Sequence, residues 1–354
     1  MPYRVVVVGT GKRGVHHAQA FSKNKRFEVV AVSDPVQAQL DKFPAEIGPV
    51  KKYADAGVMV KEMKPDLFCF TTPPKIRLPL IKLGIESGAK LIAYEKPMSL
   101  SMNEAIEIRK AVQAAGIKTV VSHQHRYGAH YRKVKEVVSA GKIGRVTNVY
   151  GSTPGWMAHM ITHFVDLMRW YNGEAEVQWV LGAASGKGKF ADVHPSPDYI
   201  AGLIQYANGV RGVVECGAGV PDVPEVEKWW YKNRVGAQGT EGYVEAITGG
   251  GWRGAGKDGL MGGPGAMSYD ADMPPYVDEM ADWLDDDKKV HQCNGENAYK
   301  GFEVAMAVIR SVVDRCQVAL PLGPGEPEIE ALKRVLPEKP VLLSGEFNRK
   351  EFLG

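Results

Sequence analysis

The sequence predicts an α/β domain with a parallel, doubly wound sheet, followed by an α+β domain of mainly antiparallel strands. Two observations carry this. Up to about residue 122, short apolar runs alternate with helical patterns, the rhythm of strand–helix–strand units. Beyond residue 145, strand-like runs follow one another closely, and Asn208-Gly209 between two of them is a hairpin signal. The 354 residues suit about two domains. They are expected over 1–124 and 125–320, with a C-terminal extension over 321–354.

In the first part, strands are predicted at 4–8, 27–33, 67–71, 90–94 and 118–122, where β-branched and other apolar residues cluster. Helices are predicted over 14–22, 54–63, 76–87 and 102–115. Gly88 and Gly116 stand where left-handed caps are wanted. Ser101 followed by Glu104 is a capping-box pattern. In the second part, helices are predicted over 131–139 and 160–171, and strands at 145–151, 177–184, 199–206, 210–216, 228–234 and 243–247. The stretch 249–265 holds nine glycines and reads as a loop. Late helices are expected at 275–286 and 298–315, and the five prolines from Pro321 onward predict a surface extension.

Composition excludes several classes. With a net charge of +3 and no basic block beyond a solvated helix face at Arg132, Lys133 and Lys135, no nucleic-acid partner is expected. No apolar run approaches the ~18 residues of a spanning helix. The chain opens on a strand, so no leader is expected, and the four scattered cysteines read as reduced thiols of a cytoplasmic protein.

The first run ends in Gly9-Thr10-Gly11-Lys12-Arg13-Gly14, and the second in Asp34. A GxGxxG that follows a strand, opens a helix and precedes an acidic residue by 20–25 positions is a dinucleotide fingerprint. Gly9 permits the tight turn, Gly11 lets backbone amides approach a pyrophosphate, and Gly14 lets helix and strand pack. The helix N-terminus adds partial positive charge, and Lys12 and Arg13 either add to it or point to solvent. Asp34 is placed to accept hydrogen bonds from ribose hydroxyls, and Pro35 follows where a 2′-phosphate reader would often carry Arg or Lys. NAD(H) is therefore expected over NADP. Thr71-Thr72-Pro73-Pro74 ends a strand at the edge where such sheets bind ligands. Thr71, Thr72 and Pro73 are candidate cofactor contacts.

These motifs, with Glu95-Lys96-Pro97, the link at 141–144, the helix ending in His163-Phe164-Val165-Asp166-Leu167-Met168-Arg169-Trp170 and the turn at 239–242, resemble the Gfo/Idh/MocA oxidoreductases. The resemblance covers roughly residues 3–320. It implies a Rossmann domain followed by a large open-faced sheet, a carbohydrate substrate held between sheet face and nicotinamide, and dimers or tetramers built through that sheet. It carries Lys96 over as the lysine beside the nicotinamide, with Glu95 and Pro97 as supports, and His163 as the histidine of a D-x-x-x-H pattern. Here His159 occupies the aspartate position, a departure that bears on the proton-handling pair.

Oxidising a secondary alcohol sends a hydride to the nicotinamide and a proton to a base. His163 meets the pKa requirement unaided, with Lys96 orienting the hydroxyl. Lys96 as the base stays open, since a desolvated amine titrates low enough. His123, His125, Arg126 and Tyr127, after the fifth strand, are candidates for substrate or nicotinamide contact. Trp156 and His159 are candidate substrate contacts, Trp156 as a flat face for a sugar ring. His159 and His163 share a helix face, yet the zinc-peptidase glutamate is missing and no metal is expected. The leading expectation is an NAD-dependent sugar, polyol or glycoside dehydrogenase. An NAD-retaining glycoside hydrolase that works by transient oxidation and elimination, and a non-catalytic sugar sensor, stay open.

Overall fold

Six parallel strands build the first sheet in the computed structural model, which describes residues 1–192 and 194–338. They are β1 (Tyr3–Val8), β2 (Phe27–Ser33), β3 (Lys51–Tyr53), β4 (Leu67–Phe70), β5 (Leu91–Tyr94) and β6 (Lys118–Val121), in the order β3-β2-β1-β4-β5-β6. Helices α1 (Lys12–Ser22), α2 (Gln37–Asp41), α3 (Ala56–Met63), α4 (Arg77–Glu86) and α5 (Met102–Ala115) make the connections. Strands in such a sheet are covered on both faces, and β4 and β5 are apolar and buried along their whole length. The order reverses beside β1, so the loops after β1 and β4 flank the crevice where ligands bind in these sheets. β3 and α2 were not expected. The sequence Lys51-Lys52-Tyr53 carries no apolar run and becomes an edge strand only by pairing with β2.

The α5 start is half as expected. Ser101 Oγ accepts from the Glu104 amide at 3.3 Å, but the Glu104 carboxylate reaches past Ser101 to Ser99 Oγ at 2.7 Å and the Leu100 amide at 3.3 Å. Gly116 closes the helix at φ 63, the left-handed cap glycine adopts at no steric cost.

The chain divides into two units. The first comprises Met1–Lys133, Gly265–Glu303 and Gly323–Gly325, and the second Val134–Pro264, Val304–Leu322 and the chain from Glu326. Beyond the expected first domain, residues up to 133 and the returning segment from Gly265 thus belong with the first sheet. That segment carries α8 (Tyr269–Asp285), whose Met273, Tyr276, Val277 and Met280 join one core with Ala18 and Phe21 of α1 and the strands. The helix starts at Tyr269 and not at Pro275; both Pro274 and Pro275 lie inside it.

In the second unit, β7 (Val146–Thr153), β8 (Val177–Ser185), β9 (Tyr199–Tyr206), β10 (Arg211–Gly217), β11 (Arg234–Gly239), β12 (Gly242–Ile247), β13 (Gly251–Gly256), β14 (Gly259–Gly263) and β15 (Val318–Ala319) form one nine-stranded sheet. Only β7 and β10 pair in parallel; the other pairings are antiparallel. Helix α6 (Ala129–Ser139) leads in, α7 (Met157–Tyr171) packs on β7 and β10, and the end of α9 (Gly295–Asp314) packs on β8 and β9. Glycines make both contacts possible. A Cβ on Gly151 would lie 2.8 Å from Phe164 Cβ, and one on Gly202 would lie 2.6 Å from Val308 Cγ2.

Among the described residues, the other face is open. Successive pairings align Leu181, Leu203, Val213, Tyr150, Gly236, Glu245 and Arg253 in one row, and Leu181, Leu203 and Val213 are exposed. Glu245 is buried in this row beneath Tyr150, Arg234 and Arg253, all of which donate to it.

Two expectations fail here. The glycine-rich stretch is not a loop: β13 and β14 form a hairpin that extends the sheet. Backbone pairing needs no side chain, and the close approach of Gly254 to the Tyr243 carbonyl excludes one. The strand expected at 228–234 is a 3₁₀ turn at Trp229–Tyr231, with β11 starting at Arg234. Asn208-Gly209 does turn the β9–β10 hairpin, with Gly209 at φ 83. In the tail, α10 (Glu328–Val335) is a helix tied to α9 by Arg310 and Glu328 at 2.7 Å; the expected extension beyond residue 338 lies outside the described residues. The cysteines are free, with only Cys316 exposed. Among the described residues, no helix is long and apolar enough to cross a membrane.

Candidate active site

The glycine fingerprint forms a cradle. Gly9 turns at φ 87, and its carbonyl accepts from Thr71 Oγ1 at 2.9 Å, which ties the first loop to the end of β4. A Cβ on Gly14 would collide with the Gly9 carbonyl, whereas one on Gly11 would meet nothing within 4 Å. The first is a packing requirement, and the second marks open space. No side chain caps α1. Its first backbone bond runs from the Val15 amide to the Gly11 carbonyl, so the amides of Lys12, Arg13 and Gly14 are the unmatched donors of the first turn. Unmatched amides beside the open space at Gly11 fit a pyrophosphate.

Asp34 sits just past β2 with its carboxylate held on both oxygens. Oδ2 accepts from the Thr10 amide at 2.9 Å and from Thr10 Oγ1 at 3.2 Å, and Oδ1 from the Val36 amide at 2.9 Å. The group is fixed, almost buried, and still has acceptor capacity for hydroxyl donors.

Arg13 does not point to solvent. Its guanidinium lies 2.8 Å from Glu95 Oε1 and 4.2 Å from the Tyr269 ring centre. His17 Nε2 meets the same oxygen at 2.9 Å and is wholly buried. Glu95 is thus held by two elements, the end of β5 and α1. Burial pushes its carboxyl up, but Arg13 first, then His17 and Lys96, bring it well below its usual value. Burial also lowers His17. A neutral imidazole beside a carboxylate must carry its proton on Nε2 and donate it.

Lys96 follows Glu95, and the Lys96–Pro97 peptide is cis. The residue keeps some surface along its length, while its ammonium is sunk among protein atoms. Desolvation lowers its pKa to about 8 against the pull of Glu95, and Arg13 and Arg77 lower it further. Thr72 and Pro97 are joined through Arg77, which donates to both carbonyls.

After β6, a 3₁₀ turn at Gln124–Tyr127 carries the next candidates, all buried. His125 stacks on Tyr131 at 5.4 Å, and burial, then the Lys96 charge, push its pKa down to about 3. It is a neutral ring near the lysine. His123 and Arg126 are buried beside it. The Tyr127 hydroxyl is committed elsewhere, donating to Glu279, a carboxylate that also accepts from the Gln292 amide at 2.9 Å. Sequence reading does not single out His17 or Arg77. The signals available were an arginine at the first position of α4 and a histidine on the apolar face of α1.

In the second unit, His163 is buried on α7 and Trp156 precedes the first residue of that helix. Trp156 stacks with Trp229 at 6.2 Å, and Lys189 Nζ lies 4.7 Å from its centre. His159 is on the same helix one turn before His163; its side chain lies outside the described residues. Among the described residues, no group of three or more His, Cys, Asp or Glu is disposed to hold a metal.

Residues 3–123 match the model of an oxidoreductase family with an NAD-binding Rossmann fold, GFO_IDH_MocA. The rhizopine catabolism protein MocA of Rhizobium meliloti is 24% identical, covering 69% of this chain and 78% of its own. An inositol 2-dehydrogenase of Rhizobium meliloti is 25% identical, covering 70% and 76%. Over its first domain the chain is thus similar to the Gfo/Idh/MocA oxidoreductases. An uncharacterized oxidoreductase of Bacillus subtilis, YrbE, is 26% identical over 68% of this chain and 72% of its own. Among solved structures, an Agrobacterium radiobacter oxidoreductase in complex with NAD+, L-tartaric acid and magnesium shares the fold with a TM-score of 0.79 at 16% identity, covering 90% of this chain and 98% of that one. The Lactobacillus casei scyllo-inositol dehydrogenase with bound NAD(H) and scyllo-inositol gives 0.68 at 18%, covering 90% and 99%. Both structures share the overall fold seen here.

Proposed function

We propose that this protein is an NAD(H)-dependent oxidoreductase acting on a secondary hydroxyl or ketone of a polyol, sugar or glycoside. The observation that carries this is a desolvated lysine at the end of β5, on the sheet edge that also presents the glycine cradle. Relatives described as inositol dehydrogenases support a polyhydroxylated substrate. NAD(H) is favoured over NADP because the fixed Asp34 carboxylate would repel a 2′-phosphate.

Gly9, Gly11 and Gly14 with the first-turn amides of α1 would hold the pyrophosphate, and Asp34 the ribose hydroxyls. Thr71, Thr72 and Pro73 line the neighbouring edge. When bound, the nicotinamide supplies the hydride acceptor or donor. Lys96 donates an N–H to the reacting oxygen, which stabilises developing negative charge. With its pKa brought down to about 8, the amine also exchanges a proton near neutral pH, which favours Lys96 over His163 as the base. His163 is the alternative base. The expected homo-oligomer would form through the open sheet face, whose exposed Leu181, Leu203 and Val213 support it.

The test is to incubate the protein with NAD and a panel of polyols, sugars and aryl glycosides. Net NADH formation supports a dehydrogenase. Aglycone release without net NADH identifies a hydrolase, and binding without either a sensor. Lys96→Met should cost at least ~10²-fold in kcat with NADH affinity within a few-fold of the unaltered protein. His163→Ala at the same cost, with Lys96→Met active, would reverse the two roles.

A further inference from the structure

Arg77 opens α4 and is 1% exposed, yet no ion pair among the described residues includes it. Its guanidinium is spent on backbone. Nη1 donates to the Thr72 carbonyl at 2.8 Å, and Nε to the Pro97 carbonyl at 3.2 Å. Thr72 ends the loop after β4, and Pro97 the segment after β5. The cation lies 5.6 Å from the Phe70 ring centre and 6.0 Å from that of Tyr94, two rings that stack on each other at 5.0 Å. Burial lowers its pKa to about 10, so it is charged at neutral pH. A buried cation is costly, and a neutral side chain could fill the same space.

We propose that Arg77 is a positioning residue with two tasks: it locks the Thr72 turn to the Lys96-Pro97 segment, and its buried cation, set against the carbonyl of the residue after Lys96, favours the neutral form of the Lys96 amine. This rests on the reading of the glycine cradle and Lys96 as a nicotinamide site. Within the first unit, the charged and titratable groups acting with Lys96 include Glu95 beside it, Arg13 from α1, Arg77 from α4, and His125 after β6. Glu95 opposes the neutral amine, and Arg13 is spent on Glu95. Arg77 adds to Arg13 a second buried cation, bonded to the carbonyl of the residue after Lys96.

Two variants separate the tasks. Arg77→Lys keeps the charge but cannot span both carbonyls with a planar fork. Arg77→Met removes both. NADH is the probe for binding, by fluorescence titration. The Lys96 amine is titrated by brief acetic anhydride pulses at stepped pH, with the modified peptide quantified by mass spectrometry. Both variants should bind NADH roughly tenfold more weakly, the loss of a charge-assisted hydrogen bond. The Lys96 midpoint should move upward in Arg77→Met and stay in place in Arg77→Lys. A purely structural arginine would leave the midpoint alone in both. Unchanged NADH affinity in Arg77→Lys, or an unmoved midpoint in a folded Arg77→Met, overturns the inference. Should Arg77→Met fail to fold, Arg77→Lys decides it, and an upward midpoint there overturns the charge task. Failure of the unaltered protein to bind NADH would instead overturn the cofactor reading.

Discussion

At the scale of single residues, the site is organised by carboxylates whose partners are already in place. Asp34 is held by Thr10 and Val36 before any ligand arrives, so its lone pairs are preorganised. Asp34→Ala should weaken NADH binding by about 10–100-fold, as read by fluorescence titration, with a smaller loss in Asp34→Asn. Glu95 is similarly engaged by Arg13 and His17. The Lys96 pKa falls from 10.5 to about 8 on folding. Between those values the unfolded chain binds the extra proton, so this lysine's contribution to stability increases as pH rises through that window. Urea melts at stepped pH should show that slope, and Lys96→Met should remove it. Expecting Arg13 at a phosphate or in solvent went astray because its partner is 82 residues away in sequence.

At the scale of elements, the strand–loop–helix unit β1–α1 is written almost wholly in local sequence. Its four valines, three spaced glycines and uncapped helix start specify strand, turn and helix together. Gly14→Ala places a methyl group against the Gly9 carbonyl. It should destabilise by at least ~1–3 kcal/mol and abolish NADH binding, measured by thermal denaturation with and without coenzyme. The β13–β14 hairpin is the opposite case. Nine glycines in 249–265 carry no strand propensity, and only the neighbouring β12 turns them into sheet. The aromatic run at 229–231 misleads in the other direction, because strand-favouring residues settle in a 3₁₀ turn.

At the scale of the whole molecule, the notable feature of the second unit is a sheet that the described residues cover on one face only. Exposed leucines and a valine in register across β8, β9 and β10 form a surface of the kind that monomers seldom keep. Leu203→Asp should shift the protein toward monomers in light scattering while leaving NADH affinity in place. An unaltered protein that is already monomeric at micromolar concentration would remove the oligomer proposal.

Sequence alone determined the α/β-then-α+β order, the glycine cradle, Asp34 and the Lys96 segment, because each depends on residues adjacent in the chain or on a repeating period. Only the tertiary structure decided that Arg13 and His17 hold Glu95, that Arg77 staples two loops, and that the segment from Gly265 returns to the first core. Apart from Arg77 to Thr72, those contacts join positions far apart in the chain. A buried cation or imidazole finds its counterpart through packing, and no local pattern records which partner that will be.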